Sequence, residues 1–254
     1  MRETGKILTA KLATYSAALG AAGLIGMAAV PSASAVMINE IVSDTPGDNE
    51  QYIELFGTPG ASLDGLSVIV IGDGLTGGEI DLDVSLDGFS LGSNGFFLIA
   101  NPLLSTGSDI PFVGPPDIEL NLFSDGFLET GDTNTFLLVD GFTGAEGDDL
   151  DTDDVAGPGV GLLEVLPWSS IVDGVQAIDD DDPNLDYSGQ LGIASVTGTG
   201  SGFPPAHLFR DAATDEFTTS DFGVGPFTPT SGVPEPTSLA LVGLGLAAIS
   251  VRRR

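Results

Sequence analysis

Short runs rich in Ile, Val, Leu and Phe punctuate the chain, separated by Gly, Asp and Pro, and helical periodicity is scarce. The pattern predicts strands over residues 36–42, 51–56, 66–71, 96–100, 135–139 and 169–177. Turn signals stand between them at Asp64-Gly65, Asp73-Gly74, Asp87-Gly88 and Asn94-Gly95. About seven short strands at such spacing predict an all-β fold, a β-sandwich. Ile38 and Ile41 cannot share one face of a regular strand, so a bulge or bend is expected around Asn39-Glu40. In the next strand Tyr52, Glu54 and Phe56 share one face and Ile53 and Leu55 the other. Glu54 thus sits among apolar residues, either as a functional carboxylate or as a structural one bonded to loop N–H groups.

The two ends follow different patterns. Arg2, Lys6 and Lys11 begin the chain, an apolar Ala/Gly/Leu-rich stretch covers 12–30, and Pro31-Ser32-Ala33-Ser34-Ala35 follows. Small residues at Ala33 and Ala35 suit signal peptidase, with the cut after Ala35. At the other end Val233-Pro234-Glu235-Pro236 precedes an apolar stretch over 239–251 and then Arg252, Arg253 and Arg254. As a helix that stretch spans ~20 Å, short of the ~30 Å hydrocarbon core. The arginines would stay on the cytoplasmic side, giving a short, orientated hold in the membrane rather than a permanent anchor.

This tripartite end resembles the PEP-CTERM sorting signal of Gram-negative bacteria. The resemblance implies processing near Pro234-Glu235-Pro236 by an exosortase, a membrane cysteine protease, so that the hold in the inner membrane is transient, and an association with exopolysaccharide and biofilm production. The expected organisation is a signal peptide over 1–35, a β-domain over 36–222, a Gly/Pro/Thr spacer over 223–232 and a sorting tail over 233–254. Hydrophobic helices are expected at both flanks.

Charge narrows the function. Of seven basic residues only Arg210 lies between the two end segments, whereas of 37 acidic residues only Glu3 and Glu235 lie outside the middle. Such a surface excludes nucleic-acid binding through phosphate contacts, and the absence of lysine there excludes Schiff-base chemistry. It repels itself unless cations screen it. With no cysteine the fold must hold without disulfides, and thiol catalysis and zinc–thiolate sites are excluded.

A second resemblance covers roughly 36–139. Met37-Ile38-Asn39-Glu40-Ile41, Glu50-Gln51-Tyr52-Ile53-Glu54-Leu55-Phe56, Leu63-Asp64-Gly65-Leu66-Ser67 and Gly95-Phe96-Phe97-Leu98-Ile99-Ala100 follow in the order of the lamin-tail domain blocks. Leu66 stands where that family carries tryptophan. The resemblance implies an immunoglobulin-like sandwich used as an interaction module.

Candidate chemistry centres on carboxylates. Asp149, Asp151 and Asp153 alternate, with Asp154 or Asp148 beside them, as the first ligands of a calcium loop do. The loop departs from an EF-hand at Asp154 and Val160, where glycine and glutamate would stand. It is read as an irregular calcium site, or else as a solvated acidic loop. The run over 179–182 lacks the alternation. His207 is the sole histidine, no Gly-x-Ser-x-Gly elbow occurs, and any triad would depend on His207 alone. Arg210 is expected to order its segment by pairing with Asp211 or Asp215, and Trp168 to be core. The sequence therefore reads as a non-enzymatic, calcium-stabilised structural or adhesive module at the cell surface or in the matrix. Its partners would be signal peptidase, exosortase, and extracellular polysaccharide or other surface proteins. The alternative is a secreted hydrolase using carboxylates.

Overall fold

The apolar runs form the strands expected of them. In the computed structural model these are β1 (Met37–Val42), β2 (Tyr52–Phe56), β3 (Leu66–Gly72), β5 (Phe96–Ala100), β7 (Asn134–Asp140) and β8 (Ser170–Ile178). Five more join them: β4 (Glu79–Ser85), β6 (Ile118–Glu119), β9 (Ala194–Thr197), β10 (His207–Arg210) and β11 (Phe217–Ser220). One short helix, α1 (Ser188–Leu191), lies before β9. The structure describes residues 36–43, 50–72, 77–101, 115–120, 128, 133–151, 162–179, 185–198, 203–220 and 227–230. Both expected terminal helices lie outside these residues. No helix among the described residues is long and apolar enough to cross a membrane.

The strands build two sheets. The first has the order β11-β10-β1-β2-β5-β6 and the second β4-β3-β7-β8-β9. Pairing is antiparallel except for β5–β6 and β8–β9. A parallel neighbour needs a crossover, and α1 lies in the one between β8 and β9. The described residues are thus mostly β, in two sheets, as the pattern predicts. The added strand β4 was legible in principle: Ile80, Leu82 and Val84 alternate with Asp81 and Asp83, and the former are buried.

One apolar core joins the sheets. Ile38, Ile41, Ile53, Leu55, Phe97, Ile99 and Leu208 come from the first sheet, and Val68, Val70, Leu82, Phe136, Leu138 and Val175 from the second. The outer face of the second sheet is covered too. Ile69, Ile71, Leu137 and Val139 meet Leu150, Leu163 and Tyr187, with Trp168 half-buried against them. Burial on both faces explains the unbroken apolar runs of β3 and β7. Two turn signals lock each other: the Asp64 carboxylate accepts the Gly88 N–H (2.8 Å) and the Asp87 carboxylate accepts the Gly65 N–H (2.7 Å).

Ile38 and Ile41 both reach the core because the β1–β2 register shifts between Ile38 and Glu40, where the bulge was expected. A second register shift lies in β8 beside Asp173, opposite Leu138. Arg210 joins the two irregularities. Its Nη2 donates to both Asp173 oxygens (2.7 and 2.6 Å), its Nε to the Ile38 carbonyl (2.7 Å) and its Nη1 to the Asp215 carbonyl (2.8 Å). Asp173 Oδ2 also accepts the Ile38 N–H at 2.7 Å. The guanidinium lies 4.2 Å from the Phe217 ring centre. The main partner is therefore Asp173 on the opposite sheet. Of the two partners expected, the Asp215 carboxylate stands 3.9 Å away and Asp211 instead accepts the Ala213 and Thr214 N–H groups.

Arg210→Met is expected to lower stability to urea unfolding by about 2–3 kcal/mol, a buried-pair cost discounted for partial exposure. Asp173→Asn should cost less than that again in the Arg210→Met background, since both changes break the same tie. Full additivity of the two would show that the pair does not act as a unit.

Candidate functional site

The outer face of the first sheet carries an unusual set of residues. The β1 bulge places Glu40 and Val42 outward, and Glu40 stands directly opposite Glu54 of β2. Tyr52 shares the face of Glu54, and His207 of β10 pairs with Val42. Glu40, Glu54, Tyr52 and His207 are each at most 1% exposed. Carboxylates on a sheet's outer face are normally solvated; these are covered because residues 227–230 run across them. Phe227 packs on the Val42, Tyr52, Leu98 and Ala100 cluster, and its ring lies 4.9 Å from that of His207.

The hydrogen bonds are specific. Glu40 Oε1 lies 2.8 Å from His207 Nε2 and accepts the Thr228 N–H at 3.1 Å. Glu40 Oε2 accepts the Thr228 hydroxyl at 2.7 Å. Glu54 accepts the Asn39 amide (2.6 Å) and the Thr230 N–H. His207 Nδ1 lies 2.6 Å from Ser220 Oγ, and Phe209 stacks on the imidazole at 4.9 Å. The Tyr52 hydroxyl lies beside Glu40, buried and short of ordinary hydrogen-bond geometry.

Opposite electrostatic outcomes follow for the two glutamates. For Glu40, burial is the largest influence and pushes its pKa up, but the donors around it, His207 first, then Thr228 and the neighbouring Tyr52 hydroxyl, together outweigh it, so the carboxyl is held below its usual range. Burial also dominates Glu54. Asn39 and Thr230 oppose it, the charge of Glu40 adds to it, and the pKa rises to about 8. Burial and the charges of Glu40 and Glu54 push the Tyr52 phenol well above its usual value. At neutral pH the pair is one carboxylate and one carboxylic acid.

Ser220, His207 and Glu40 form a line of hydrogen bonds, but with the ring nitrogens exchanged relative to a serine-protease triad: Nδ1 faces the hydroxyl and Nε2 the carboxylate. Sequence reading singled out His207 but neither Glu40 nor Ser220 as its partners, because the three are joined only by strand pairing. For Glu54, the structural reading fits: its partners are an asparagine side chain and a backbone N–H of the 227–230 segment.

The aspartate loop stands elsewhere, beside β4. Asp149 is exposed and its Oδ1 accepts the Asp151 N–H at 3.0 Å. Asp151 is buried, with the Tyr187 hydroxyl 3.4 Å from its Oδ2. Gly78 makes room: at φ +77° it is left-handed, and a Cβ there would stand 2.6 Å from Asp151 Cβ. Asp153 and Asp154 lie outside the described residues. Among the described residues no group of three or more acidic or histidine side chains is placed to hold a metal ion. A cleft of about 590 Å³ beside Arg210 is lined by Asp173, Ser195, Asp215, Glu216 and Phe217.

Residues 232–254 match the PEP-CTERM protein-sorting motif. This supports export and surface-directed sorting, with exosortase as the partner that recognises such a signal. The residues that carry it, including Val233, Pro234, Glu235, Pro236 and Arg252 to Arg254, lie outside the described residues, as do Ala33 and Ala35. No curated protein and no solved structure matches the chain.

A group whose folded pKa is raised holds its proton when the unfolded chain has lost it. Glu54 should therefore erode stability as pH rises from about 4.5 to about 8, by at most about 1.4 kcal/mol per pH unit. Glu54→Gln should flatten this decline in urea titrations across that window. An unchanged slope would show that Glu54 is ionised in the fold.

Proposed function

We propose that this is an exported cell-surface or extracellular-matrix protein whose β-domain is a structural or adhesive module, sorted by exosortase and associated with exopolysaccharide or other surface proteins. The observation that carries the reading is the PEP-CTERM motif at residues 232–254. A two-sheet body suits it, and we assign that body to the immunoglobulin-like, lamin-tail type. Three of the four blocks that resemble that family form β1, β2 and β5, adjacent strands of one sheet, and the block over 63–67 leads into β3 of the other. An acidic surface with Arg210 as its only base between residues 36 and 233 fits a hydrated, cation-screened matrix better than a nucleic-acid partner.

Expressed in a Gram-negative host that has an exosortase, the full chain should mature to a form lacking its tail. Replacing Pro234, Glu235 and Pro236 with alanine should leave precursor in the inner membrane. Equal maturation of both chains, read by mass spectrometry, would sink the sorting reading.

Calcium stabilisation belongs to the same proposal and rests on Asp149 and Asp151, with Asp153 and Asp154 following. Calcium should raise the melting temperature where magnesium does not, and Asp149→Asn with Asp151→Asn should abolish the rise. The same shift with any salt would reduce these acids to a screened surface.

A second reading, a secreted hydrolase, draws on the Ser220–His207–Glu40 line. Against it, the imidazole is buried between Phe209 and Phe227. A serine-directed phosphonate should leave Ser220 unlabelled, and stoichiometric labelling there would favour the hydrolase.

A further inference from the structure

Residues 227–230 lie on the outer face of the first sheet as a bound peptide would. Thr228 and Thr230 present their N–H groups to Glu40 and Glu54, and these glutamates are themselves cross-strand partners. N–H groups two residues apart on one side are what an extended segment offers. Pro229 stands between them, where no N–H is required. It also biases Thr228 toward the extended conformation the groove needs. Phe227 fills the apolar end against Val42, Tyr52, Leu98 and Ala100. The Thr228 hydroxyl adds a bond to Glu40, and that of Thr230 closes on the Thr228 carbonyl at 3.1 Å. The groove is thus built from both sides: apolar contact at one end, two carboxyl groups along the other.

The sorting motif begins at residue 232, two residues beyond Thr230. We propose that this groove is a strap site whose occupant is the chain's own Phe227–Thr230, and that docking shortens the tether between the folded domain and the processing region, slowing exosortase access. This rests on the sorting reading above. With the strap docked, Pro234 stands four residues beyond Thr230, a reach of ~13–14 Å. With it released, the last sheet residue among those described is Ser220, fourteen residues before Pro234, a reach of at most ~46–50 Å. A protease embedded in the membrane must take the Pro234-Glu235-Pro236 region in extended form, and a folded, strongly acidic domain held within the shorter reach obstructs it.

The test compares four full-length precursors in an exosortase-bearing host: wild type, Phe227→Ala with Thr228→Ala, an insertion of eight Gly/Ser residues after Ser231, and both changes together. Processing rate is followed by pulse labelling, and exchange of the Thr228 and Thr230 amides is followed in the purified precursors. The strap variant and the insertion should each mature severalfold faster than wild type, and the combination no faster than the insertion alone. Amide protection should be lost in the strap variant and kept in the insertion. The insertion does not touch the fold, so its rate stands even if the strap variant is unstable. A faster insertion with an unchanged strap variant would overturn docking in the precursor. No acceleration by the insertion, or additive acceleration by the pair, would overturn control by tether length. Failure of the wild type to mature at all, with the amides still protected, would overturn the sorting reading and with it the consequence for processing, while leaving the strap itself standing.

Discussion

Asp173 and Arg210 hold the two sheets together where both are irregular. A bulge leaves the Ile38 N–H and C=O turned away from a regular ladder, and buried backbone groups must find partners. Asp173 takes the N–H and Arg210 the carbonyl, and the two side chains bond each other. The arrangement satisfies the bulge and lets Ile38 and Ile41 enter the core together. The same bulge turns Glu40 outward toward Glu54. The site on the far face of the first sheet thus depends on a contact made at its near face.

With that one guanidinium committed, the domain's other carboxylates have few cations to meet. They are held by hydrogen-bond donors instead. Asp64 accepts from Gly88 N–H and the Ser62 hydroxyl, and Asp211 from Ala213 and Thr214 N–H; each carboxyl is held below its usual range by these bonds. Glu40 uses His207 and Thr228. Glu54 has fewer donors than its burial demands and keeps its proton. The abundance of Asp over Glu follows from the same logic, since a short side chain reaches the turn N–H groups beside it. Acidity here shapes the loops as well as the surface.

The fold was legible where apolar runs are dense. The strands around Ile53, Ile69, Leu98, Leu137 and Val175 stand where the pattern places them, and the Asn39-Glu40 bulge was readable from the three-residue spacing of Ile38 and Ile41. The four-residue strands β9, β10 and β11 were not picked out. Their few apolar positions, such as Val196 and Leu208, carry no periodicity, and long-range pairing supplies the order that propensity does not. Half of the candidate site was visible: Glu54 stood out among apolar neighbours, and His207 by being alone. Their assembly was not, because Glu40 and His207 are 167 residues apart and meet only through β1–β10 pairing. The Gly/Pro/Thr stretch over 223–232 has the composition of a linker. Composition does not reveal that Phe227 and the Thr228 and Thr230 N–H groups match a groove whose glutamates stand 188 and 176 residues away in sequence.

That match ties the site to strands from both ends of the domain. Its groove needs β1, β2, β5 and β10, and its occupant follows β11. The carboxyl groups are therefore buried only after the strands from both ends of the domain have paired. Until then Glu40 and Glu54 are solvated and carry ordinary charge, and nothing retains the segment beside them. Burial by the strap removes two acidic groups from water, and the cost of doing so is offset by five bonds from Asn39, His207, Thr228 and Thr230. Because these bonds are few and polar while the apolar contact is a single phenylalanine, the strap is held far less firmly than the core. A segment with that balance can stay docked on a folded domain and still be released without unfolding it.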